Sequence, residues 1–264
     1  MTATPDPQSA PSSPSRSDTA LTLGDLRAAL ADGIADFRAA PRFGLFFAGV
    51  YVVLGVGLVQ LGAGILTWTL SLTLAFPLLA PFLAVGLYEV SRRRAAGAAL
   101  TWGGILGVVW HERTRQIPWA GAVILIYVLF WSFFAHMLFA LFMGPSAILG
   151  SAVAPAAWLS GAGLQMVLAE FLFGAAFALL LFGLTAFSLP MLLDREVDFV
   201  TAMRASLRAT TAHPRVSLVW AATIAGLTLI SLLPWFLGLF VSLPVLGHAS
   251  WHLYRRARDA GVLD

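Results

Sequence analysis

Along most of this chain apolar residues run on without interruption, and the polar ones gather in a few short blocks. No charged residue separates Arg42 from Glu89. Between Arg115 and Asp194 the one charge is Glu170, and between Arg215 and Arg255 there is none. A helix needs ~20 residues to cross the hydrocarbon of a bilayer, so each stretch is long enough for two crossings. The pattern predicts six spans, near 43–63, 67–88, 118–142, 166–190, 216–233 and 235–254. Gly62-Ala63-Gly64 marks the first turn, and Leu233-Pro234-Trp235 is the hinge of the last pair. The insert Gly144–Gly163 carries small residues with Pro145, Pro155 and Trp158, and it reads as an external loop or shallow interfacial turn.

The polar blocks have another period. Leu23, Leu26, Leu30, Ile34 and Phe37 recur at helical spacing and draw one apolar stripe. Asp25, Asp32 and Asp36 fall opposite it, with Arg27 and Arg38 on its flanks, as expected of a helix lying in the membrane interface. Trp102, Ile105, Leu106 and Val109 form a second stripe. Residues 1–20 are rich in Pro, Ser and Thr and lack an apolar run, so they read as a disordered cytoplasmic tail, not a secretory signal. Residues 21–264 form the membrane domain. The expected fold is all-α: a polytopic membrane helix bundle of six transmembrane helices, arranged as three hairpins with cytoplasmic amphipathic helices. A weak threefold repeat accompanies it. Pro41, Pro118 and Pro214 each end an Arg-bearing amphipathic segment, and Pro81, Pro190 and Pro244 stand in the second span of each pair.

Composition narrows the classes. Apolar residues make up 59% of the 264 and charged ones 11%, against ~25% in soluble domains. With a mean hydropathy of +0.85, a soluble enzyme is excluded. All 16 basic residues are arginine, and the formal net charge is +3. Cysteine is absent, which removes disulfides and thiolate metal sites. Every arginine lies in a terminal segment or in a segment joining one pair of spans to the next. By the positive-inside rule both termini are cytoplasmic.

Few polar groups remain for chemistry. Glu170 and His136 are ionisable groups inside consecutive spans, a candidate pair for proton relay or cation binding. Pro81, Pro190 and Pro244 each remove a backbone donor in the inner part of a span, pointing to kinks around a cytoplasmic-side cavity. Arg92, Arg93, Arg94, Arg113 and Arg115 stand at the membrane surface as contacts for anionic headgroups. His248 and His252, at i and i+4, share one helix face and are weak metal candidates. The run Asp194-Arg195-Glu196-Val197-Asp198 mixes signs and is expected to pair internally or with that arginine cluster. No phosphate-binding loop, nucleophile elbow or zinc-protease motif appears, so no residue is read as catalytic and no cofactor is called for.

Three motifs carry a resemblance. They are Ala80-Pro81-Phe82 leading into Gly86-Leu87-Tyr88-Glu89-Val90-Ser91-Arg92-Arg93, then Phe187-Ser188-Leu189-Pro190-Met191-Leu192-Leu193-Asp194-Arg195, then Pro244-Val245-Leu246-Gly247-His248-Ala249-Ser250-Trp251-His252. In these the chain resembles the DUF2189 family of predicted bacterial integral membrane proteins. The resemblance implies a multi-span inner-membrane protein and no activity. The first functional reading is a non-enzymatic accessory or assembly subunit, or a lipid-interacting module. A small transporter using the proline-kinked cavity is the alternative, and a haem or metal protein using His248 and His252 the third. Membrane lipids and other inner-membrane proteins are the expected partners; nucleic acid is not.

Overall fold

The computed structural model describes residues 20–60, 65–144 and 158–263. The tail, the turn expected at Gly62–Gly64 and most of the small-residue insert fall outside these. Every regular element among the described residues is an α-helix. They are α1 (Leu23–Ala39), α2 (Pro41–Gln60), α3 (Ile65–Ala95), α4 (Trp102–Glu112), α5 (Ile117–Met143), α6 (Gly161–Thr185), α7 (Ser188–Asp194), α8 (Phe199–Ala212), α9 (Pro214–Leu232) and α10 (Leu239–Asp259).

Local chemistry sets most of the boundaries. Thr22 and Asp25 form a capping box at the start of α1: the Thr22 hydroxyl accepts from the Asp25 amide at 3.2 Å, and the Asp25 carboxylate accepts from the Thr22 amide at 2.9 Å. Thr101, Ser160 and Asp198 cap α4, α6 and α8 in the same way, each accepting from an amide three residues on. Proline opens α2 and stands in the first turn of α5 and α9, where its missing N–H costs nothing. The order of short helix, long helix opened by proline, and helix carrying a second proline occurs three times. The members are α1–α2–α3, α4–α5–α6/α7 and α8–α9–α10.

Among the described residues three helices are long and apolar enough to cross a membrane: α5, α6 with α7 taken as one stretch, and α9. A fourth results if α1 and the start of α2, bent by 99°, make one broken span. The expectation of six is therefore not reproduced by length and apolarity alone. One reason lies in α10, the segment expected as the sixth span. Leu239, Pro244, Val245, Ala249, Trp251 and Tyr254 are all buried, on every side of the helix, against α1, α2, α3 and α9. It is an internal strut whose last turns carry charge, and lipid is not its main neighbour.

The core lies at one end. Trp220, Trp251, Tyr254 and Ile117 are fully buried in the larger cluster, with Val85 and Ala249. A smaller one packs Phe43 and Phe47 against Leu83, Leu87 and Ile105, with Trp102 4.4 Å from the Phe43 ring. By contrast the most apolar stretches of α5 and α6 are only 11% and 6% buried. These two helices meet through aromatic rings: Phe177 contacts Tyr127, Phe130, Trp131 and Phe134, and the Tyr127 hydroxyl donates to the Phe177 carbonyl at 2.8 Å.

Helix α1 is turned from the orientation its apolar stripe suggests. Its buried face runs Leu26, Ala29, Gly33 and Asp36, while Leu23 and Ile34 are exposed. At ~100° per residue that face is roughly 80° away from the stripe. Two contacts explain the turn. At Gly33 the backbones nearly touch: a Cβ there would lie 2.7 Å from both the Ala249 amide nitrogen and the Val245 carbonyl of α10. Asp36, one turn on, has its ionic partners inside. Gly33→Ala is therefore expected to lower the unfolding midpoint of detergent-solubilised protein, with a cost of about 1–3 kcal/mol. Gly107→Ala, on the exposed face of α4 with nothing within 4 Å, is expected to be neutral or stabilising. Equal midpoints for the two variants would show the α1–α10 approach to be loose.

Candidate functional site

The polar groups cluster at the arginine-bearing end, around one buried carboxylate. Asp36 is 6% exposed. The Arg94 Nε donates to its Oδ1 at 2.7 Å from α3, and the His252 Nε2 lies 2.8 Å from its Oδ2, on α10. Burial alone pulls this carboxyl upward. Hydrogen bonds from His252, Ser91 and Arg94 and the charge on His252 outweigh it and hold the pKa at about 2. Beside it, the Arg256 Nη2 meets Asp32 at 2.8 Å. His248 is fully buried next to this centre; its Nδ1 lies 2.8 Å from the Ser91 hydroxyl and 3.1 Å from the Leu87 carbonyl. A carbonyl only accepts, so the bond to Leu87 places the proton on Nδ1 and leaves the Ser91 O–H for Asp36. Helices α1, α3 and α10 are thus joined by one chain of polar groups.

A second buried carboxylate organises the arginine run. Glu89, 1% exposed at its side chain, accepts from the Arg92 Nε and the Arg93 Nε, each at 2.6 Å. Arg93 also donates to the Ala99 and Gly104 carbonyls, which fastens the start of α4. Arg115 bonds buried Glu112 at 3.1 Å and reaches Glu196 at 3.4 Å. Asp194 accepts from Tyr254 and Arg258, each at 2.8 Å. Four of the five arginines expected at lipid headgroups therefore face carboxylates of the protein itself. Arg113 differs: it is exposed and stacks on Trp110 at 3.5 Å.

The other expected sites divide. Pro81, Pro190 and Pro244 are all buried in the packed end, and none of them lines either of the two niches described below. Pro190 lies in the first turn of α7, just past a break in the helix. There the Ser206 hydroxyl inserts into the backbone ladder: it accepts from the Phe187 amide at 3.0 Å and donates to the Gly183 carbonyl at 2.7 Å. His136 and Glu170 stand half-buried on packed helices α5 and α6 and within electrostatic reach of each other. His136 is also committed to its own helix, with Nδ1 2.6 Å from the Ser132 carbonyl. His248 and His252 bond different partners. Among the described residues no three His, Asp or Glu side chains are arranged to hold a metal ion.

Sequence reasoning missed Asp36, Ser91 and Glu89 as organising groups; the Arg-bearing segment that it ended at Pro214 is α8. That helix buries Ala202, Met203, Ala205, Ser206 and Ala209, and exposes Arg204 and Arg208. Arg215 follows, exposed, in the first turn of α9. None of the three has an ion-pair partner among the described residues.

The two motifs that frame the middle of the fold, Ala80–Arg93 on α3 and Phe187–Asp194 on α7, both lie inside the stretch that is similar to a known family. Residues 69–194 match DUF2189, described as predicted integral membrane protein. The DUF2189 segment runs from within α3 through α7 and contains Glu89, its arginines and the Ser206-bridged break. The motif at Pro244–His252 lies beyond it. No curated protein and no solved structure matches the chain. With its apolar helices, the chain is an integral membrane protein.

Asp36→Asn removes one charge from a buried group of three and leaves Arg94 facing an amide. A cost of about 3 kcal/mol is expected. The pKa of Asp36 is lowered on folding, so its stabilisation is complete above its ordinary value of 3.8 and is lost as pH falls toward about 2. Unfolding midpoints measured between pH 5 and pH 2 should therefore fall more steeply for the parent protein than for Asp36→Asn. Parallel curves would show that Asp36 is not the linked group.

Proposed function

We propose that this protein is a non-enzymatic membrane module that binds anionic lipid at its arginine end and serves other membrane proteins as an accessory or assembly subunit. The observation that carries this reading is the split between its two ends. At one end seven of the nine described carboxylates are paired with an arginine or histidine of the same chain, and Asp25 and Asp198 cap helices instead. At the other, only 11% and 6% of the residues in the most apolar stretches of α5 and α6 are fully buried, although the two helices touch through their rings. Such helices are suited to lipid or to the helices of a partner, and the charged end is suited to the headgroup layer.

The finer arrangement belongs to the same proposal. The threefold order of elements supports six crossings in three hairpins, with α1, α4 and α8 at the cytoplasmic surface. The arginines favour cytoplasmic termini and a bacterial inner membrane. Reporter fusions at Leu100 and at Glu196 are expected to be active only for a cytoplasm-dependent reporter; activity of an export-dependent reporter at either site would overturn the orientation. In nanodiscs of mixed phosphatidylglycerol and phosphatidylcholine, lipid next to the protein is expected to be enriched in the anionic species, less so as salt rises. Bulk proportions next to the protein would overturn the lipid reading.

A second reading rests on the placement of one pair of ionisable groups on facing helices. The electrostatic reach between His136 and Glu170 favours a transporter that couples substrate to a proton or cation. It predicts that Glu170→Gln abolishes flux in proteoliposomes while leaving the unfolding midpoint unchanged. Flux that persists would remove it.

A further inference from the structure

Two apolar niches open on the surface of the bundle. One, of about 150 Å³, lies between α2, α3, α9 and α10 and has no exposed arginine at its edge. The other, of about 290 Å³, lies where the inner ends of α6 and α9 meet α8. Gly183 and Thr210 form its buried floor, and Leu179 and Leu218, both largely exposed, form its outer walls. Its depth comes from glycine: a Cβ on Gly183 would lie 3.0 Å from the Leu207 methyl and 3.3 Å from the Thr210 hydroxyl. Its shape is fixed by Ser206, which ties α8 to the break in α6 through the Phe187 amide and the Gly183 carbonyl.

The three arginines of α8 and α9 without carboxylate partners stand beside it. Arg208 precedes the lining residue Thr211 by three, and Arg215 precedes the lining residue Leu218 by three, so each is a same-face neighbour of the niche. Arg204 lies one turn before Arg208 on the same face. No acidic residue lines the niche. An apolar slot leading along α6 and α9, the Ser217 hydroxyl in its lining and unpaired guanidinium groups beside it match one kind of molecule: an amphiphile with an anionic phosphate head and an acyl chain. Guanidinium binds phosphate bidentately and does not lose its charge.

We infer that the α6–α8–α9 niche is a specific site for one anionic phospholipid, its phosphate held by Arg208 and Arg215, and by Arg204 on the same face, and one acyl chain lying between Leu179 and Leu218. This rests on the lipid reading above and narrows it from a charged surface to a single site.

The test uses the full chain in nanodiscs of phosphatidylcholine, titrated with phosphatidylglycerol and read by native mass spectrometry for retained lipid. One saturable phosphatidylglycerol per chain is expected. Arg208→Gln with Arg215→Gln should weaken it about tenfold or more. Ser217→Phe fills the niche and leaves all charges in place, and it should block retention without lowering the unfolding midpoint. Arg27→Gln with Arg113→Gln, exposed arginines elsewhere, should have no effect on the retained lipid. Millimolar inorganic phosphate should not displace it. Retention unchanged in both niche variants overturns the site, as does displacement by phosphate. If all arginine variants weaken binding alike, the general surface reading stands and the site falls. If one lipid is retained without enrichment around the protein, the site stands and the general reading falls.

Discussion

A buried carboxylate in a charge-poor protein must be met by cations, and Asp36 sets that requirement for three helices at once. Leaving it unpaired would cost several kcal/mol, more than most single contacts in the fold supply. Arg94 reaches it from the end of α3 and His252 from α10, each through a bond shorter than 3 Å. The close approach at Gly33 is the other half of the same constraint, since the carboxylate reaches its partners only if α1 lies backbone to backbone on α10. The identity of α10 as an internal strut follows, because a helix that receives α1 on one side, α3 on another and α2 and α9 on the rest has little surface left for lipid.

What the sequence made legible was whatever is local or simply additive. Stretch length against bilayer thickness located the apolar helices. Pro41, Pro118 and Pro214 marked where the long helices α2, α5 and α9 start. The DUF2189 motifs on α3 and α7 were readable as they stand. The pairing of Glu89 with Arg92 and Arg93 was also within reach, because partners three and four residues on share a helix face. The Asp36 clamp was not: its partners are 58 and 216 residues away, and no periodicity records such distances. The stripe on α1 misled for a related reason. It ranks positions by apolarity, whereas the face actually buried is chosen by a glycine and an aspartate. The charge count of the arginine loop did not record that Arg92, Arg93, Arg94 and Arg115 face carboxylates of the same chain.

Once the paired arginines are set aside, the molecule separates into two materials. The arginine end is stitched by ion pairs and filled with Trp220, Trp251 and Tyr254. The membrane end is held by rings sliding along one another around Phe177, with few polar bonds. Ser206 stands at the border. Its hydroxyl completes a hydrogen-bond ladder that belongs to another helix, so the inner turns of α6 and the body of α8 share backbone bonds although they are separate elements.

The fixed seating of α1 on α10 has a mechanical result. Leu23 and Ile34 face outward along an edge whose position is set by intramolecular contacts, at 99° between α1 and α2, and not by the surrounding lipid. In the proposed arrangement, with α1 at the cytoplasmic surface, such an edge would act as a depth stop for the arginine end, and a mismatch between bilayer thickness and the length of α5 and α6 would be taken up at the exposed apolar turn of Leu233, Trp235 and Leu237.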